Sequence, residues 1–253
     1  MPVETSSSAR ARIFAVGGIA LLGLLTACGD NDDADANGDS AAEEERAPWE
    51  GPEDSDAEGE ASDGDSADAA QPAAANEAGG FVLTSATEID SDGEGADGAP
   101  HVLIYSDPGC PACAQFEDLY SSSLEERVDN GDITLEYRSV VFVDPEYSAD
   151  ASGAFACMAE ESPEKYLAYV GEVTSQAADQ SNREIEDLVS EAEALGADIG
   201  ECVESGTYRD FAEATTDIAT DEDGIRGTPT VLIDGEQLSD LMALEQAIED
   251  ASN

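Results

Sequence analysis

Residues 81–253 predict an α/β domain: a strand–helix–strand unit, a long helical block, then two short strands and a closing helix. Three observations predict it. HVLIYS, His101 to Ser106, is a short continuous apolar run, as expected of a buried central strand. The next seventy-odd residues after the second strand carry helical stripes and no strand pattern. TVLID, Thr230 to Asp234, is then a strand that Gly235 turns into a short partner around Glu236 to Leu238.

The elements follow in order. FVLT at Phe81 adds an edge strand. After His101–Ser106, the residues Phe116, Leu119, Tyr120 and Leu124 fall at helical spacing and predict one buried stripe. ITLEYRSVVFV, Ile133 to Val143, alternates and then becomes wholly apolar, so it reads as a second strand. In the helical block, at about 146–222, Ala151, Ala154, Phe155 and Met158 share a face. Ser162–Pro163 suits an N-cap and first helical position. Asn182 caps a helix carrying Ile185, Leu188, Val189, Ala192 and Leu195, which Gly196 stops. Tyr208, Phe211, Ala212, Thr215 and Ile218 form another stripe. Ser239 caps a last helix that turns Leu241, Leu244 and Ile248 inward.

The start of the chain reads as a targeting segment. Arg10 and Arg12 precede Ile13 to Leu25, an apolar run too short to span a bilayer and laid out as a secretory signal. LTAC, Leu25 to Cys28, resembles the lipobox of bacterial lipoproteins, whose cysteine is acylated and becomes the mature N-terminus. Residues 1–27 are then a signal peptide, and Cys28 holds the protein to a membrane outside the cytoplasm, where disulfides persist. Residues 28–80 are mostly Asp, Glu, Ala, Gly, Ser and Asn, with Arg46 the only cation and a lone Trp49, and read as a disordered acidic linker. About fifty such residues reach roughly 40 Å.

The formal net charge is −51, from 60 acidic and nine basic residues. Nothing here neutralises phosphates, so nucleic acid is excluded as a partner. Repulsion of this density destabilises a compact state unless salt screens it, which predicts adaptation to high salt.

The chemistry rests in YSDPGCPACAQF, Tyr105 to Phe116. Two cysteines three apart serve zinc, iron–sulfur or redox chemistry. Placed after a strand and opening a helix, they point to redox. Free amides at a helix N-terminus favour an anion, so Cys110 is the exposed nucleophile and Cys113, one turn inside, the buried resolving thiol. Pro111 suits the first turn because its missing N–H has no partner there anyway. A structural zinc site needs four ligands, and Cys157 and Cys202 are not a second close pair. The single histidine, His101, reads as a strand-edge residue. No metal or cofactor is implied.

SDPGCPAC before a helix, with GTPTVLIDGE late in the chain, resembles the DsbA-like branch of the thioredoxin superfamily, over most of residues 98–251. The resemblance implies a thioredoxin fold with an inserted helical subdomain. It also implies a cis Pro229 preceded by Thr228, lying against the cysteines and pairing with an extended client chain. SGAFACMAEESPEKYLAYVGEV and IGECVESGTYRDF look like segments that often carry one cysteine each in relatives, implying a Cys157–Cys202 bridge; two separate buried thiols are the alternative. Two positions depart from the pattern. Ile104 stands where many relatives have an acid, and Ala112 where many oxidases have histidine. The second change is expected to raise the pKa of Cys110 and give a milder oxidant.

The activity implied is exchange of disulfides with cysteines of exported proteins, reset by a quinone-linked oxidase or a reductase in the membrane. Reductase or isomerase activity is the alternative within the same chemistry. A non-catalytic thioredoxin-fold binding lipoprotein is the alternative outside it.

Overall fold

The computed structural model describes residues 70–90, 98–179 and 183–252. The signal segment, Cys28, Arg46 and Asn182 lie outside the described residues.

A six-stranded sheet runs through the centre in the order β2-β1-β4-β3-β5-β6. Its strands are β1 (Phe81–Ser85), β2 (Glu88–Ile89), β3 (His101–Ser106), β4 (Thr134–Ser139), β5 (Thr230–Ile233) and β6 (Glu236–Gln237). β3 and β4 are parallel and joined by α1 (Pro111–Asp129), the connection that a parallel pair requires. β5 runs antiparallel to β3, and β6 folds back on β5. The turn between them places Asp234 at φ 49° and Gly235 at φ 82°, so the second position needs a residue without a Cβ. The helical block follows β4: α2 (Pro145–Glu161), α3 (Tyr166–Ser175), α4 (Ile185–Ala194), α5 (Gly200–Glu204) and α6 (Arg209–Asp221). The closing helix is α7 (Leu244–Ala251).

Alternation along β3 sends its side chains to two cores. Val102 and Ile104 join the larger core with Phe116, Tyr120 and Leu124 of α1, Phe155 of α2 and Ile248 of α7. Leu103 and Tyr105 join a smaller one with Ala219 of α6 and Ile225. Beside that smaller core, Glu136 of β4 accepts from Arg138 Nε at 2.6 Å and from Asn76 Nδ2 at 3.0 Å, with His101 Nε2 2.9 Å away. Burial alone would push the Glu136 carboxyl up, but His101, Arg138 and Asn76 together hold it below its ordinary value.

Several elements depart from the sequence reading. The packed body begins before residue 81, because Asn76 bonds Glu136 and the Ala74 N–H bonds Glu160 at 2.7 Å. β1 is interior rather than an edge, because Glu88–Ile89 adds a strand outside it. β4 stops at Ser139 instead of running to Val143. The amides of Phe142 and Val143 both donate to Asp107 Oδ2, at 2.7 and 2.8 Å, and so leave the ladder. Leu119 is 64% exposed, while Glu117 takes the interior position on the other side of the stripe. At about 100° per residue, the buried line through Cys113, Phe116, Tyr120 and Leu124 passes nearer to Glu117 than to Leu119. Caps also differ. Pro163 opens a short 3-10 turn without a Ser162 side-chain bond, Glu184 and Asp187 form the capping box of α4, and Asp240 rather than Ser239 caps the turn before α7. Gly196, at φ 82°, ends α4 as expected.

Candidate active site

Cys110 is the N-cap of α1 and Pro111 its first residue, so both cysteines sit in the opening turn of a helix. Cys113 is fully buried and Cys110 only 6% exposed. Both are free thiols. Against them lies the loop before β5, where the Thr228–Pro229 peptide bond is cis. Cys110 Sγ is 3.5 Å from the Thr228 carbonyl oxygen, and the Thr230 hydroxyl donates to Gly227 O at 2.7 Å within that loop. The four residues Cys110, Cys113, Thr228 and Pro229 are thus brought together across the join of β3, α1 and β5.

The two thiols are driven apart. Hydrogen bonding from Cys113 stabilises the Cys110 thiolate, with further help from Thr228 and from the amides of Cys113 and Ala112. Against the opposing effect of burial, these bring Cys110 down to about 5. That lies within the range of roughly 3.5–7.5 seen for thiols at helix N-termini. Hydrogen bonding to Cys110 and burial push the Cys113 thiol well up. The Ala112 side chain offers no donor, and its backbone N–H is the smallest of the groups that favour the Cys110 thiolate.

A buried carboxylate holds this loop. Asp107 is 0% exposed, and its oxygens accept from Gly109 N (2.7 Å), Ser148 Oγ (2.6 Å), Phe142 N (2.7 Å) and Val143 N (2.8 Å). Its backbone touches both cysteines: Asp107 N donates to Cys113 Sγ at 3.5 Å, and Asp107 O accepts from Cys110 N at 2.9 Å. Gly109 permits the close approach, since a Cβ there would meet Ser148 Oγ at 2.7 Å. Arg183 ties the same loop to the helical block. Its guanidinium donates to Pro108 O (2.8 Å) and Val173 O (2.7 Å) and stacks 4.1 Å from the centre of the Tyr147 ring.

Sequence reasoning passed over Asp107, Ser148, Arg183 and Glu117. Only Asp107 had a local signal, its place three residues before Cys110 in the strand-to-helix turn. Cys157 of α2 and Cys202 of α5 form a disulfide with Cα atoms 5.9 Å apart, so neither offers a thiolate to a metal. Among the described residues, no group of three or more His, Cys, Asp or Glu is placed to hold a metal ion.

Comparison with known proteins identifies the family and the fold. A family model described as thioredoxin matches residues 93–250. The chain belongs to the thioredoxin family. Its fold is similar to that of DsbA from Mycobacterium tuberculosis, with 24% identity, a TM-score of 0.57, and 68% of this chain and 92% of that one covered. It is also similar to MdbA from Actinomyces oris, titled a thiol-disulfide oxidoreductase, with 23% identity, a TM-score of 0.57, and 68% and 88% covered. BdbD from Bacillus subtilis matches with 18% identity, a TM-score of 0.57, and 69% and 93% covered. Among curated proteins, no sequence matches.

Proposed function

We infer that this thioredoxin-family chain is an extracytoplasmic protein thiol–disulfide oxidoreductase, acting on cysteines of exported proteins through its C-P-A-C motif. One observation carries the reading: Cys110 at the mouth of α1 has a stabilised thiolate, Cys113 behind it has a disfavoured one, and both face the loop at Pro229. A client thiolate attacks Cys110 Sγ of the oxidised pair, the Cys110–Cys113 bond opens, and a second client thiolate releases Cys110. The client leaves oxidised and the pair is left reduced, Cys110 as a thiolate and Cys113 as a thiol. The low pKa of Cys110 favours this direction, because it stabilises the reduced form and makes Cys110 a good leaving group.

The strand of client chain nearest the reacting sulfur pairs with the backbone at Thr228 and Pro229. Cys28, acylated after removal of residues 1–27, anchors the protein to the membrane by two or more acyl chains. A quinone-linked membrane oxidase returns the pair to the disulfide. The anchor is supported by the lipobox-like LTAC and the acidic stretch after it, and the client-pairing loop and the membrane oxidase by the resemblance of SDPGCPAC and GTPTVLIDGE to the DsbA-like branch.

The test uses the full chain with a reduced, unfolded client protein. Cys110→Ser abolishes disulfide transfer, and Cys113→Ser accumulates mixed disulfides through Cys110. Transfer by Cys110→Ser at the parent rate overturns the assignment.

A further inference from the structure

Cations are scarce in this acidic body, and half of them are bound to its own carboxylates. Six basic residues fall within residues 81–253. Arg127 pairs with Glu245, Arg138 with Glu136 and Asp223, and Arg209 with Asp150. Lys165 sits in the turn after α2. Arg183 bonds two carbonyls and lies against the Tyr147 ring. Arg226 also bonds only carbonyls, but it is exposed: Nη1 donates to Thr220 O at 2.6 Å and to Ile225 O at 2.9 Å. Its Nε and Nη2 meet no acceptor among the described residues. That edge is the pair of parallel N–H groups that a carboxylate accepts. Arg127 uses the same edge for Glu245, from Nε at 3.0 Å and Nη2 at 2.6 Å.

Arg226 stands two residues before Thr228, so its Cα lies within about 7 Å of the backbone that faces Cys110. The loop that carries both is fixed along its length. Asp223 accepts from Tyr105 Oη at 2.5 Å and from Arg138 Nη1 at 3.0 Å, the Ile225 N–H donates to Ala219 O at 2.8 Å, and the Thr230 hydroxyl holds Gly227. Arg226 itself ties the loop to the last turn of α6. The acids nearby are engaged elsewhere. Asp223 is bonded as above, and Asp221 and Glu222 line a separate cavity with Gln71 and Glu77. Beside the cysteines, Asp107 is saturated by four donors, and Asp144 accepts the first amides of α2.

We propose that Arg226 makes this site selective for clients carrying an acidic residue about two positions from the reacting cysteine. The inference rests on the thiol–disulfide reading above and names the chemistry of its clients. An extended client paired at Thr228 runs on past Gly227 to Arg226, and residues two apart in a strand share a face. A Glu or Asp there meets the unbonded edge of a guanidinium that two carbonyls already hold, so little side-chain freedom is left to lose. The net charge of −51 repels an acidic client at long range. Salt near 1 M shortens that repulsion to about 3 Å, the distance at which a touching pair still forms.

The experiment is stopped-flow reaction of the oxidised full chain with dithiol peptides in molar salt. The peptides are alike except for Glu, Gln or Lys two positions outside the cysteine pair, on either side in separate sets. In one set the Glu peptide should react about threefold faster than its Gln twin, the scale of an exposed ion pair, with the Lys peptide slowest. Arg226→Gln levels the three rates, Arg226→Lys keeps their order, and Arg226→Glu reverses it. A loop merely loosened by these substitutions would slow all three peptides alike and leave their order standing, and that result overturns the proposal. So do equal rates for the three peptides with the parent, a measurement that needs no variant to fold. A parent that oxidises none of the peptides, or transfer surviving in Cys110→Ser, would instead overturn the underlying exchange reading.

Discussion

Glu117, a buried carboxyl on α1, predicts how stability depends on pH. Its carboxyl moves from an ordinary 4.5 to about 7 on folding, chiefly through burial. A group whose folded pKa is raised contributes stability that is fully present below the unfolded value and is lost as pH rises through the folded one. The window is therefore 4.5 to about 7, and at 1.36 kcal/mol per tenfold change the loss across it is about 3 kcal/mol. Glutamine does not titrate, so Glu117→Gln escapes this loss. The assay is urea unfolding of the reduced protein by circular dichroism, at fixed molar salt, for parent and variant side by side. The subtraction removes the contributions of the many other carboxylates. The stability of Glu117→Gln relative to parent should rise by about 3 kcal/mol between pH 4.5 and 8 and then level off. Parallel curves across that range would refute a neutral buried Glu117.

Three further outcomes follow from the same structure. The Cys157–Cys202 bridge closes a loop of 45 residues, so Cys157→Ser with Cys202→Ser should lower unfolding free energy by about 4 kcal/mol, read by urea titration. Asp107→Ala leaves three amides and the Ser148 hydroxyl without their acceptor and should cost about 3–5 kcal/mol, with Asp107→Asn intermediate. A cost below about 1 kcal/mol in urea unfolding would show that the carboxylate does not hold the loop. Thermal melts from low to molar salt should show a rising midpoint, as the −51 charge requires, and a midpoint indifferent to salt removes the case for salt adaptation.

The parts legible in the sequence are those with a local physical signature. β3 announces itself as a continuous apolar run, the hairpin by Asp234–Gly235, and α1 by Pro111 at its first position. The helical block shows stripes at Phe155 and Phe211, both buried as their spacing implies. The elements misjudged are those whose limits depend on distant partners. Val140 to Val143 has every local property of a strand, yet Asp107, from another strand's end, captures two of its amides. Ser162, Asn182 and Ser239 are each good capping residues in isolation. In two of the three cases a neighbouring acid makes the bond instead, at Glu184 with Asp187 and at Asp240. Glu117 was missed because a charged residue is ordinarily assigned to solvent, and only the register of α1 against β4 reveals that it points inward. Arg183 could not be found at all, since its partners Pro108 and Tyr147 lie far away in sequence.

The central claim is that the opening turn of α1, with Cys113 and Thr228, stabilises an anion on Cys110. Titrating the reduced protein by thiolate absorbance at 240 nm, with Cys110→Ser as the blank, measures this directly. The expected midpoint is about 5, and the absorbance step should vanish in the variant. A midpoint near the ordinary thiol value of 9.0 would contradict the account.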